Sequence, residues 1–497
     1  MTEVDPPVAP LLPTEVDPPV APLPPTEVDP PVAPLSPASG GTPSTEVDDH
    51  TSLLARFVAE HDGDQIPEAV LHAARRALVD HIGVTVAGST DDATRRARDA
   101  FTSAENGSSA TVVGTRMRVS APYAAFLNAF ASHVLDLDDV YNPPGTTVHG
   151  SCSVWPAILA VADTRPITGK AALATFALGF EVETRVAHAA GQSHYDAGWH
   201  VTGTSGHVGA AAAAARTMGM RAEQVEHAIA AGATQASGLR VMAGSDLKSM
   251  HPGKAAMDGV LAAALVEQRL TASPKALEGD FGYLAVMSAE PAPGKLSAGL
   301  GETWNLPSNG HKLYPSGSLT HPMIDGVIAL VTAENVGPDE VSVIDIRVSP
   351  PAARFTDLPR PATRMQAKFS LRHCAAAAVT FRRVGTDELG EAILTRPDVV
   401  DLRERVKVVA DPALGKQDAD VELVLTSGRT LTTEVRGNRG TPAAPLDDDE
   451  LSAKFRELVT PVLGAERAET LLNSCWNIEE LPDVSALLAQ TVPLDDV

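Results

Sequence analysis

The chain has 497 residues, of which 44% are hydrophobic and 21% charged, and its 63 acids against 39 Lys plus Arg give a formal net charge of -24. So large an acidic excess argues against a nucleic-acid binder, whose footprint is basic, and against attraction to an anionic membrane surface. Three scattered cysteines (Cys152, Cys374 and Cys475) exclude a disulfide framework or a Cys-rich zinc site, and no apolar run is long enough to predict a membrane span. A reducing cytosol is the location these features suggest.

Residues 2–37 are three near-identical dodecads, TEVDPPVAPLLP, TEVDPPVAPLPP and TEVDPPVAPLSP. Proline at this density stops helix propagation and removes the donors of a strand ladder. Residues 1–47 are therefore expected to be a disordered or polyproline-II-like acidic tail. It would serve as a spacer or as a ligand for a proline-recognising partner.

The body begins near Asp48. Leu53–Glu60 and Pro67–Ala87 read as helices, the second with Val70, Leu71, Ala74, Leu78, Ile82 and Val86 recurring at helical spacing. Ala121–Leu135 follows, then Pro156–Ala162, with Ser153 as a candidate cap and Pro156 near its start. Ala171–Ala190, Gly206–Met218 and Ala222–Ala236 are rich in alanine, and the run Ala210–Ala215 implies helices in close approach. After Gly310 the texture changes. Val341–Val348 alternates as a strand does, and Asp420–Val435 reads as two strands about Ser427-Gly428, with Val421, Leu423 and Leu425 on one face. Residues 447–473 return to helix behind an acidic first turn. The expected architecture is mostly α, with a helical domain in two parts (48–309 and 446–497) and an inserted α+β unit (310–445).

Five polar clusters interrupt this pattern. In HVLDLDDVYNPPGTTVHGSC, Asp136, Asp138 and Asp139 sit at a helix C-terminus, where the dipole disfavours carboxylates, so some compensation is expected. His149 lies on the following loop. HYDAGWHVTGTSGH sets His194, His200 and His207 beside a helix N-terminus, an anion-receiving arrangement with a three-histidine metal set as the alternative. SDLKSMHPGK gathers Lys248, His251 and Lys254. GHKLYPSGSLTHP adds Lys312 and His321, and KFSLRHC adds Arg372 and His373. No dinucleotide fingerprint, P-loop or nucleophile elbow is present. Imidazoles and ammonium groups together suit a site that binds a small polycarboxylate and moves a proton next to a carboxylate. Two other readings are a metal-dependent prenyl-chemistry enzyme, with Asp138-Asp139 binding magnesium, and a non-catalytic binding or scaffold protein.

Over residues 48–480 these clusters, with IPEAVLHAARRALVDHIGVTVAG, LEGDFGYLAV and PLDDDELSAKFREL, resemble the MmgE/PrpD family in order and spacing. The resemblance implies a large helical domain carrying a smaller lid, a homodimer, and a lyase or isomerase that needs no metal or organic cofactor. Dehydration of a small di- or tricarboxylate comes first, with decarboxylation or epimerisation as alternatives. Carried over, it implies Asp136, His149, His200, Lys248 and His321 as catalytic residues. His251, Lys254, Lys312, Arg372 and His373 would contact substrate. The family often has Thr at Val140, Pro at Gly150 and Tyr at His373, and these departures point to a specialised substrate.

Overall fold

The computed structural model describes residues 49–101 and 110–494; the repeat segment 1–47 lies outside the described residues. One hydrophobic core runs from Leu54 to Leu306 and takes in Leu451 to Leu488; a second gathers Met323 to Leu431.

The helical part is organised around Val201–Thr217, whose alanines Ala210–Ala215 are all fully buried. Helices Ser151–Ala162, Gly169–Asp196, Ala222–Ala233 and Met250–Glu267 surround it. Such a helix presents no polar face because no side of it meets water. Small residues set the spacing: a Cβ on Gly259 would stand 2.6 Å from the Ala210 Cβ, closer than side chains approach. The helices Asp448–Leu463 and Ala465–Trp476 bring the chain back onto Glu68–Gly88, burying Leu451, Phe455 and Val459. Asp447 caps the first of them through a reciprocal pair with Glu450.

Between these two stretches of helix lies a four-stranded sheet, in the order Val406–Ala410, Val341–Val348, Asp418–Leu425, Thr430–Arg436. The first pair is parallel and the others antiparallel. Ala419, Val421, Leu423 and Leu425 face the second core, where His321–Ala333 and Leu371–Phe381 pack. The hairpin turns at Ser427-Gly428, and Gly428 adopts φ +84°, which glycine permits without a Cβ clash.

Several expected boundaries move. The helix expected at Pro156 begins at Ser151, so Pro156 lies within it and Gly150, not Ser153, takes the cap position. The Ser153 hydroxyl instead donates to Glu183. Residues 447–473 form two helices because Gly464, at φ +79°, breaks the run. The helix expected from Gly206 starts five residues earlier, directly after His200. No described helix is long and apolar enough to cross a membrane.

Candidate functional site

The segment from Asp136 to His149 leaves the C-terminus of the Ala121–Val134 helix and returns to the start of Ser151–Ala162. Asp136 turns the chain at φ +54°, a left-handed conformation that Asp tolerates better than most residues. A short ladder then holds the segment: Tyr141 and Val148 exchange backbone hydrogen bonds, and Val140 pairs with Gly310.

This path gives the three aspartates three different sets of partners. Asp136 Oδ1 accepts from Lys312 Nζ at 2.7 Å and from Lys248 Nζ at 3.1 Å. Burial alone would raise its carboxyl, but the two lysines outweigh burial and hold it well below the usual carboxylate range. Asp138 Oδ2 accepts from His133 Nδ1 at 2.8 Å and lies 3.1 Å from His149 Nδ1. Against the same burial cost, the two imidazoles keep it well below the usual range. Asp139 Oδ2 accepts from the Ser151 hydroxyl and from Asn309 Nδ2, and among the described residues it makes no ion pair. Burial first, then the nearby Asp80 carboxylate, push Asp139 up to about 8.

That last value carries a prediction. Unfolded, the Asp139 carboxyl loses its proton near about pH 4; folded, it keeps the proton to about pH 8. Between those values the native state binds the extra proton, so Asp139 makes stability fall as pH rises, by up to about 1.4 kcal/mol per pH unit. Asp139→Asn removes this contribution at any constant cost of its amide. Urea denaturation from pH 5 to 8 should show a shallower decline in the variant. Parallel profiles would count against a protonated Asp139.

The imidazoles form a row. His149 and His133 rings lie 4.8 Å apart, His133 and His200 5.9 Å, and His200 and His251 5.1 Å. His200 Nδ1 and His251 Nδ1 are hydrogen-bonded to each other at 2.9 Å. Burial, reinforced by Lys248, pushes His200 well below its ordinary value and His251 to about 4, so both are neutral at physiological pH. His133 is also pulled to about 4 by burial, against the opposing pull of Asp138. In His149, Nδ1 is committed to Asp138 and to the Asp139 carbonyl, which leaves Nε2 for the cavity.

That cavity holds about 560 Å³ between the helical part and the inserted part. Asp136, His149, His200, Lys248, His251 and Lys312 line its polar end. Tyr195, Leu239 and Arg240 continue the wall on the helical side, and Leu319, Phe355 and Phe369 face them from the inserted unit. A charged end and an apolar flank are what a small anion needs to be both held and desolvated.

Six of the ten expected site residues meet here. His321 lines an adjoining cavity with Lys312 instead. Lys254 is drawn back to Asp258 at 2.9 Å, one helical turn away. Arg372 is paired with Asp357 and donates to the Val406 carbonyl. His373, expected to contact substrate, is fully buried with Nε2 at 3.0 Å from the Glu388 carbonyl. Lys254, Arg372 and His373 border neither cavity. Asp136, expected to orient or tune a histidine, accepts from the two lysines and acts on His133 and His149 through its charge, while the hydrogen-bonded carboxylate partner of His133 is Asp138.

His194, His200 and His207 do not converge: His194 is held by the Met287 carbonyl and Thr204, and His207 by the Gly203 carbonyl and Asp258. Asp138 and Asp139 have separate partners, His133 for the one and Ser151 with Asn309 for the other, each through Oδ2. Among the described residues, the grouping able to hold a metal ion is His133, Asp138 and His149, whose ligand atoms lie within 4.8 Å of one another.

Sequence reasoning missed His133 as an Asp138 partner, although both stand in the first polar cluster. It also missed Lys368, whose ammonium is buried and donates to the Val134 carbonyl, where the helix dipole favours a cation.

The sequence model of the MmgE/PrpD N-terminal domain matches residues 52–295, and that of the MmgE/PrpD C-terminal domain matches residues 314–478. The chain is similar to the cis-aconitate decarboxylase of Homo sapiens, 26% identical over 439 residues, covering 85% of this chain and 90% of the relative. It is 25% identical over 479 residues to the cis-aconitate decarboxylase-like protein oryM of Aspergillus oryzae, covering 90% and 98%. With the cis-aconitate decarboxylase of Aspergillus terreus the identity is 23% over 468 residues, covering 88% and 95%.

Proposed function

The chain belongs to the MmgE/PrpD family, and on that premise we propose that it is a lyase acting on a small di- or tricarboxylate, with decarboxylation as its reaction. The observation that carries this reading is the pairing of Lys248 and Lys312 on a single carboxylate, Asp136, at the buried end of the cavity. Two ammonium groups converge on one carboxylate oxygen at the cavity wall, where partial burial limits screening by water. A carboxylate of the substrate binds beside them.

The chemistry follows from the neighbours. When a carbon–carbon bond breaks and carbon dioxide leaves, an electron pair stays on carbon and spreads onto an adjoining carboxylate or double bond. Lys248 and Lys312 stabilise that developing charge at the carboxylate end. A proton must then reach carbon: His149 delivers it from Nε2 as an imidazolium whose Nδ1–H stays on Asp138, and solvent afterwards restores the proton to Nε2. His200 and His251, both neutral, pass hydrogen bonds without adding charge beside the lysines. Dehydration needs the same groups but a hydroxyl in the substrate. The decarboxylase names of the relatives favour the first reaction.

The homodimer stays part of this proposal. Leu239, Val241, Leu247 and Met250 remain exposed within one short stretch beside the cavity, and a second copy would bury them.

The test is an acid panel beginning with cis-aconitate, citrate and their alkyl homologues, with products read by NMR in D2O and with EDTA present in a parallel series. The expected result is loss of carbon dioxide with one solvent deuteron on carbon, insensitive to EDTA. Turnover that releases water from a hydroxy acid would replace decarboxylation by dehydration, and no turnover of any acid would remove the lyase reading.

A further inference from the structure

The loop joining the strands Val406–Ala410 and Asp418–Leu425 carries Lys416 to the rim of the cavity, facing it from the inserted unit. Lys416 also borders the adjoining cavity of about 560 Å³, together with Asn142, Lys312 and Ser318. These four residues form the partition between the two spaces, so the Lys416 ammonium stands on the same wall as Lys312.

Lys416 differs from the other cations around the cavity in having no committed partner. Lys248 and Lys312 are tied to Asp136. Arg240 donates to the Tyr195 carbonyl at 2.8 Å, and its guanidinium is stacked between the Tyr195 ring at 4.1 Å and the Phe355 ring at 4.6 Å. Lys416 has only the Tyr195 face, at 5.8 Å, and among the described residues its ammonium makes no ion pair. Partial burial lowers its proton affinity, and Asp196 offsets this from beyond ion-pair distance. A half-buried cation without a counter-ion is costly unless a ligand supplies one.

Building on the lyase reading, we propose that Lys416 is the inserted unit's carboxylate anchor: from the wall it shares with Lys312 it binds a second carboxylate of the substrate, separate from the one held by Lys248 and Lys312, and so selects acids with the additional carboxyl group. Two separate anchors hold a tricarboxylate at two of its carboxylates, where a dicarboxylate can engage only one of them fully. The opposite outcome is a lysine that lies along the Tyr195 ring and keeps its ammonium in water.

The experiment is titration calorimetry of the full chain and of Lys416→Gln with two unreactive acids, propane-1,2,3-tricarboxylate and glutarate, together with steady-state kinetics on the acid found in the panel. Loss of one charge-assisted hydrogen bond should weaken tricarboxylate binding about 10- to 100-fold. Glutarate should lose much less. KM should rise by a similar factor while kcat stays within a few-fold, and Lys416→Arg should restore most of the affinity. Equal loss for both acids, or unchanged binding in Lys416→Gln, would overturn this proposal and leave the lyase reading standing. If the unaltered chain binds neither acid, this proposal falls, and turnover in the acid panel alone decides the lyase reading.

Discussion

Replacing His149 by glutamine is expected to lower kcat on the preferred polycarboxylate about 100- to 10,000-fold, the usual contribution of a positioned general acid or base. KM should move far less, because the carboxylate anchors remain. Glutamine can still accept or donate a hydrogen bond toward Asp138, so the buried carboxylate keeps a partner and the fold is retained. The expectation rests on geometry. His149 is the imidazole of the row that lines the cavity while its far nitrogen is fixed by Asp138 and the Asp139 carbonyl. Steady-state kinetics with a denaturation curve as control decide it. A variant with unchanged kcat would transfer the proton step to His200, which also lines the cavity and is hydrogen-bonded to His251.

The second large effect is on stability. Asp136→Ala leaves the ammonium groups of Lys248 and Lys312 buried around a vacated oxygen position, with nothing to separate their charges. Removing one member of such a buried ionic group costs about 3–5 kcal/mol, mostly because the remaining charges are uncompensated. Adding Lys312→Met in the same chain should recover a large part of the loss, since one lysine at the cavity edge can reach water. The penalty should be present in full at neutral pH. The folded Asp136 value is depressed, so its contribution exists above the unfolded carboxyl range and disappears only as pH falls through that depressed value. Urea denaturation of the two single variants and the double variant at pH 7 measures the coupling. Additive losses would mean that Asp136 is not neutralising the lysines. Added tricarboxylate should stabilise Asp136→Ala more than the unaltered chain, because the ligand then supplies a carboxylate to the two lysines that lost theirs.

The aspartate-rich segment illustrates how much of the site was legible. Three carboxylates at a helix C-terminus oppose the dipole, and that conflict alone marked residues 136–139 as needing compensation. What compensates each of them could not be read from the segment. Asp136 is answered by Lys248, 112 positions away, and by Lys312, 176 positions away. Lys254 stood in the same short cluster as Lys248 and looked equivalent. One helical turn decided otherwise, placing it against Asp258. Arg372 and His373 looked equivalent to the true cavity residues too, but the helix Leu371–Phe381 packs on the sheet and turns both away from the cavity.

The sequence by itself determined the elements: the alanine-filled central helix, the alternating strand Val341–Val348, the turn at Ser427-Gly428 and the change from helical to mixed texture near Gly310. These depend on which side chains prefer water and on backbone conformations a few residues long, and both are written locally. Only the tertiary structure decided which carboxylate is anionic and which is protonated, which histidines line the cavity, and that Lys416 stands at its rim. Ionisation and pairing depend on burial and on charges brought within a few ångströms, and residues more than a hundred positions apart supply both.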